Sequence, residues 1–195
     1  MSATTKRKEK PREKQQKSGH RPISLENFKK RYLDKSPYKY EWKDGKIEKD
    51  EFMKIDERYI IDNIISRFNT LSIYQQGNRI MAKADCSFKK LNAYRRPDAA
   101  YLTKEQIRHP EEAPEAPALV IEIVSPSNTD IQNKLKIQEY LEAGVQMIWY
   151  IYPNVEQVWV HTSETQVEIR RQGDVCDARP IIAGFQISVK EIFDR

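Results

Sequence analysis

The chain has 195 residues, 38% hydrophobic and 32% charged, which suits one domain with a modest core and a tail. Its net charge of +5 is unevenly spread: residues 1–40 hold 13 Lys/Arg against 4 Asp/Glu, so the remainder is mildly acidic. With no apolar run of membrane-spanning length, no visible secretory leader, and two distant cysteines (Cys86 and Cys176) lacking CxxC spacing, the composition argues against membrane and zinc-site classes and for a reducing, cytoplasmic setting.

Residues 1–21 carry almost no apolar side chains and are expected to form a disordered basic arm suited to a polyanion such as nucleic acid. Residues 22–195 are expected to form a single domain. "ISLENFKKRYLDK" places Leu25, Phe28 and Tyr32 at helical spacing behind Ser24 as a cap. "YKYEWKDGKIE" reads as a hairpin turned at Asp44-Gly45. "DERYIIDNIISRFNTL" sets Tyr59, Ile60, Ile64 and Phe68 along one helical stripe. "RIMAKADCSF" alternates as one strand, and "RRPDAAYL" as a second opened by Pro97. Residues 103–116 read as a loop. "ALVIEIV" is a strand, followed by a helix capped at its start by Ser125 or Ser127 and closed by Gly144. "QMIWYIYP", "VEQVWVHT" and "TQVEIRR" are further strands, and "GFQISVKEIF" gives a short strand and a helical turn. Trp42, Trp149 and Trp159 read as core or interface, His109 and His161 as surface. The pattern predicts an α/β (α+β) fold, a mixed central sheet flanked by helices.

The strand "ALVIEIV" is apolar on both parities yet carries Glu122. A strand covered on both faces penalises an unpaired charge there. One resolution is a buried arginine partner, for which Arg95 and Arg96 are candidates. The other is a cation. Asp98 opens the preceding strand, and if the two strands are neighbours their carboxylates converge. Two hard oxygen donors plus water suit Mg²⁺ (or Mn²⁺), and that ion can activate a water and neutralise charge on a phosphodiester. Such chemistry calls for a nearby ammonium. Val124 stands where a strand lysine would serve, and the next helix offers Lys134 and Lys136. Helical geometry leaves the choice open: Lys134 falls on the apolar arc, and Lys136 shares a face with Tyr140.

Pro97-Asp98, Glu122 and a helix lysine together resemble the PD-(D/E)XK nuclease superfamily. The ordered set "YEW-DG", "RPDAAYL", "VIEIVSPSN", "K-IQEYLEAGV", "WYIYP" and "GFQISVKEIF" resembles its Uma-type restriction endonuclease family over residues 37–195. That resemblance implies a restriction-endonuclease-like core and a Mg²⁺-dependent DNA endonuclease acting as a homodimer, with no organic cofactor. It implies Asp98 and Glu122 as metal ligands, Glu41 as an additional ligand, and Lys136 as the displaced lysine, with Lys134 the alternative. Two features depart from the family: Gln132 replaces an acid, and no histidine lies between His20 and His109. The competing reading is a catalytically degenerate nucleic-acid-binding protein with a nuclease fold.

Overall fold

A computed structural model describes residues 22–33, 38–51, 54–110, 116–125 and 129–195; the arm expected over 1–21 lies outside them. Helix α1 (Leu25–Tyr32) starts at Ser24, whose side chain accepts from the Asn27 N–H at 3.3 Å, and buries Phe28. Strands β1 (Tyr38–Lys43) and β2 (Lys46–Glu51) form the hairpin. Asp44 and Gly45 take φ of 49° and 80°, the left-handed pair that a two-residue turn requires. A Cβ on Gly45 would also lie 2.7 Å from the Pro22 Cβ, so glycine is needed there twice over.

Helix α2 (Arg58–Asn69) buries Ile60, Ile61, Ile64 and Phe68, while Tyr59 is only half-buried. Helix α3 (Ser72–Gln75) follows. The single strand expected at "RIMAKADCSF" is two, β3 (Arg79–Ala82) and β4 (Cys86–Phe88), broken at Lys83 with φ 55°. They join different sheets. Next come β5 (Ala93–Arg95) and β6 (Ala99–Leu102). The expected 103–116 loop contains α4 (Lys104–Arg108), where Thr103 caps Gln106 and Gln106 bonds back to the Thr103 N–H, a reciprocal cap that stabilises so short a helix.

Strand β7 (Leu119–Ile123) leads to α5 (Asp130–Ala143). Thr129 caps α5, not Ser125, and Ser127 lies outside the described residues. Gly144 ends it at φ 102°. The chain finishes with β8 (Met147–Tyr152), β9 (Gln157–His161), β10 (Val167–Arg170), β11 (Val175–Asp177), β12 (Gln186–Ser188) and α6 (Val189–Ile192).

A six-stranded sheet runs β10-β9-β8-β7-β6-β3, beside a four-stranded sheet β2-β1-β5-β4 and the pair β11-β12. Only β7 and β8 pair in parallel within the larger sheet. It is therefore the expected mixed sheet, and α5 is the crossover that a parallel pair requires. Residue parity divides its two faces. Leu119, Ile121, Ile123, Met147, Trp149 and Ile151 join α2 in one apolar cluster. Val120, Ile148 and Tyr150 join Phe88 and Tyr140 in another. Phe28, Trp42 and Tyr94 make a third, smaller cluster under α1. Trp42 and Trp149 are core as expected, and Trp159 is partly buried. His161 is not a surface residue: it is buried, edge-on to Tyr150.

Candidate functional site

Glu122 has the parity of Val120, so it rises from the β7 face that α5 covers. β6 pairs antiparallel with β7, Ala99 opposite Ile121 and Ala100 opposite Val120. Asp98, expected to open β6, stands one residue before it, where one more step of that register would face Glu122. Both are buried, at 6% and 5% exposure. Asp98 Oδ2 accepts from the Ile123 N–H at 2.8 Å, which ties the carboxylate to the strand that carries Glu122.

The group between them is one that sequence reasoning missed. Lys39 Nζ lies 3.3 Å from Asp98 Oδ1 and 3.5 Å from Glu122 Oε2. Lys39 belongs to β1, where Tyr40 and Trp42 pack toward α1 and Lys39, Glu41 and Lys43 alternate onto the opposite face. Lys39 and Glu41 are both buried. Lys136 bridges the other edge of the site, 2.9 Å from Glu122 Oε1 and 3.3 Å from Glu41 Oε1. Tyr140 donates to Glu122 Oε1 at 2.6 Å, and the Arg96 N–H donates to Glu41 Oε1 at 2.8 Å. The structure thus brings Asp98, Glu122, Glu41 and Lys136 together, while Lys134 is exposed.

The arginine partners considered for Glu122 go elsewhere. Arg95 is buried and grips Glu139 with two 2.7 Å bonds, to Oε1 and Oε2. It also bonds Glu41 Oε2 at 3.2 Å and reaches Glu48. Lys43 meets Glu139 at 2.7 Å. Helix α5 therefore presents Lys136, Glu139 and Tyr140 from one face, at the i, i+3, i+4 spacing that aligns side chains. A groove of about 910 Å³ opens on this network, lined by Glu41, Arg95, Lys136 and Glu139 together with Lys43 and Lys49. Asp98 and Glu122 do not line it, so Glu41 and Lys136 form the contact between groove and buried pair.

Burial and pairing pull the acids apart. Asp98 is pushed up to about 6, first by burial and then by the Glu122 charge, against the pull of Lys39 and the Ile123 N–H. Burial also works against the charge on Glu41, but Lys136, Lys39 and Arg95 outweigh it and hold that carboxyl down at about 2. Glu122 is likewise held below the usual carboxylate range: burial opposes this, and Lys136 and Lys39 prevail. Burial would discharge Lys39, yet Glu122, Asp98 and Glu41 keep it well above the ordinary lysine value.

Among the described residues no three His, Cys, Asp or Glu side chains gather on one metal position. The donor chemistry still fits a hard divalent ion. Asp98 Oδ1 and Glu122 Oε2 face a common position that already accepts one positive charge, the Lys39 ammonium. Two carboxylates completed by water make an ordinary Mg²⁺ ligand set, since that ion rarely takes a full protein cage.

A model of the Uma2 family, described as "putative restriction endonuclease", matches residues 25–190. The chain belongs to that family, and the match takes in α1, which the sequence resemblance left out. Among solved structures, the chain is similar to a crystal structure from Anabaena variabilis titled as a "putative nuclease belonging to DUF820". The two align with a TM-score of 0.72 at 23% identity, over 88% of this chain and 98% of that one, a likeness of fold. No curated protein matches. Among the described residues no helix is long and apolar enough to cross a membrane.

Proposed function

We propose that this member of the Uma2 family is a cytoplasmic, Mg²⁺-dependent endonuclease that hydrolyses DNA phosphodiester bonds. The observation that carries the reading is the buried pair Asp98–Glu122, at the end of the β6–β7 pairing, with one ammonium between them. Asp98 and Glu122 would hold the ion, with Glu41 in support. When bound, the ion supplies an acidified water and neutralises charge that builds on the phosphate.

The chain's own residues do the rest. Lys136 sits where the groove meets Glu41 and Glu122, and its ammonium is placed for the charge of the attacked phosphate. Lys39 must yield its position between the carboxylates, and its displaced charge stays available to the substrate anion. Five carboxylates (Glu41, Glu48, Asp98, Glu122, Glu139) face four cations (Lys39, Lys43, Arg95, Lys136). Two copies acting together would address two strands, as in other restriction-type enzymes.

Supercoiled plasmid nicking tests the reading. The protein should nick with Mg²⁺ or Mn²⁺ and not with chelator, and Asp98→Ala should fall to background. Nicking that survives Asp98→Ala sinks the assignment. A second reading, a nucleic-acid binder that does not cut, is favoured by the lysine that bridges the acids. Retarded plasmid with no nicking in either ion would establish it.

A further inference from the structure

Tyr150 carries a hydroxyl that the site as described does not use. In the parallel pairing of β7 with β8 it is the register partner of Glu122, so the two side chains leave the same sheet face from adjacent strands, about 4.8 Å apart at the backbone. Tyr150 is 2% exposed. Its ring is fixed edge-on to His161, centroids 6.0 Å apart, and it packs with Val120, Ile148 and Tyr140. The hydroxyl has no hydrogen-bond partner among the described residues, and only one other buried side-chain atom there, Nε of Arg170, shares that condition. A buried phenol ordinarily finds a partner. Phenylalanine would fill the same space without burying a polar atom.

The surroundings say what kind of partner suits it. Burial first, and then the Glu122 and Glu41 charges, hold the phenol far above its ordinary value. It is thus a neutral O–H donor within electrostatic reach of two carboxylates and bonded directly to neither. Tyr140 shows the alternative, donating straight to Glu122 Oε1. A donor near an acceptor but out of direct reach is suited to one bridging water.

We propose that Tyr150 is a positioning residue of the carboxylate site: its hydroxyl donates to a water that in turn donates to Glu122, orienting that carboxylate for a divalent cation. The inference rests on the cation reading of the site given above. Hydrogen bonds to the far side of a ligand set its direction and basicity, and their removal weakens metal affinity about tenfold or more.

Calorimetric titration of Mg²⁺ into the full chain, its Tyr150→Phe variant and its Glu122→Gln variant tests this, with melting of the metal-free proteins alongside. The parent should bind, Glu122→Gln should not, and Tyr150→Phe should bind about tenfold more weakly with its metal-free melting temperature held or raised. If the parent takes up no Mg²⁺, or Glu122→Gln binds as the parent does, the cation reading falls and this inference with it. If those two behave as expected while Tyr150→Phe binds within about twofold of the parent, the Tyr150 inference alone is overturned. A lower melting temperature with unchanged affinity would make the hydroxyl structural and overturn it equally.

Discussion

Leu119, Ile121 and Ile123 leave β7 on one side; Val120 and Glu122 leave it on the other. The first side meets Ile60, Ile64 and Phe68 of α2 and the stacked rings of Trp149 and Phe185. Its stability grows with apolar area removed from water, about 25 cal/mol per Å². The second side is apolar beneath the C-terminal half of α5 and then gives way to Glu122, Asp98, Lys39, Glu41 and Lys136. Charges there cost desolvation that their mutual attraction only roughly offsets. Alternate residues of one strand thus serve different ends: the α2 face holds the fold, and the α5 face keeps a charged cluster that stability alone would not select.

The largest effects break the comparison most directly. Trp149 is fully buried, its ring stacked on Phe185 with centroids 5.6 Å apart, and Trp149→Ala should cost about 3–5 kcal/mol. Truncating Phe185 as well should restore nothing. On the other face Lys39→Met or Glu122→Gln alone should each cost up to about 3–5 kcal/mol, because each unbalances a buried charge cluster, even though Asp98 still pairs Lys39 and Lys136 still pairs Glu122. The double variant should regain much of that loss, since a neutral pair of similar volume replaces an ion pair and Asp98 can take up a proton. Denaturant melts of the parent and these five variants measure this, and a double loss on the charged face equal to the sum of the singles would erase the distinction.

Next comes Lys136. It is the ammonium shared by Glu122 and Glu41 at the groove, whereas Lys134 is exposed one turn-fraction away on the same helix. Lys136→Ala should lower cleavage about a hundredfold. Some stability should go with it, because two buried carboxylates lose a common cation. Lys134→Ala should leave both rate and melting temperature near the parent's. Plasmid-cleavage rates with paired melts decide it; equal rates in both variants would remove the helix lysine from the mechanism.

Much of the α2 face was legible because periodicity reports burial. Asp44-Gly45 gave the hairpin, Gly144 the end of α5, and the apolar runs the central strands. The charged face was legible only at Asp98 and Glu122, carboxylates set against apolar strands, and at Glu41 and Lys136, which the family resemblance named. Lys39 was missed for a physical reason. "YKYEWK" alternates aromatic and charged residues, and such a pattern ordinarily means one packed face and one solvated face. Only the packing of that face against Asp98 and Glu122 at the end of the β6–β7 pair, and against Lys136 and Glu139 of α5, brings Lys39 and Glu41 into the interior. Arg95 with Glu139 was hidden likewise, since their contact spans 44 positions. The signal at hand was the shared helix face of Lys136, Glu139 and Tyr140. Where the elements themselves differ, backbone effects decided: the left-handed Lys83 splits β3 from β4, and β5 and β11, of three residues each, are too short for alternation to register.

The smallest effect sharpens the comparison through pH. Glu139 accepts two bonds from Arg95 and one from Lys43, each 2.7 Å. Burial would raise its carboxyl, but the Arg95 bonds and charge, with Lys43, hold it below the usual 4.5. A carboxyl depressed in the folded state adds stability that is complete above its unfolded value and is lost as pH falls through the folded one, because the unfolded chain takes up the proton first. Glu139→Gln keeps the shape and one acceptor while removing the charge, so it should cost about 1–2 kcal/mol at neutral pH. That gap between parent and variant should shrink as pH falls below 4.5, and it should shrink in high salt far less than an exposed pair would. The gap for Trp149→Ala should stay constant over the same range, since no proton is linked to it. Melts of the three proteins from neutral pH down to about pH 3 test the contrast: a Glu139→Gln gap indifferent to pH would mean that its charge adds nothing to the fold and that Arg95 is held by Glu41 and Glu48 alone.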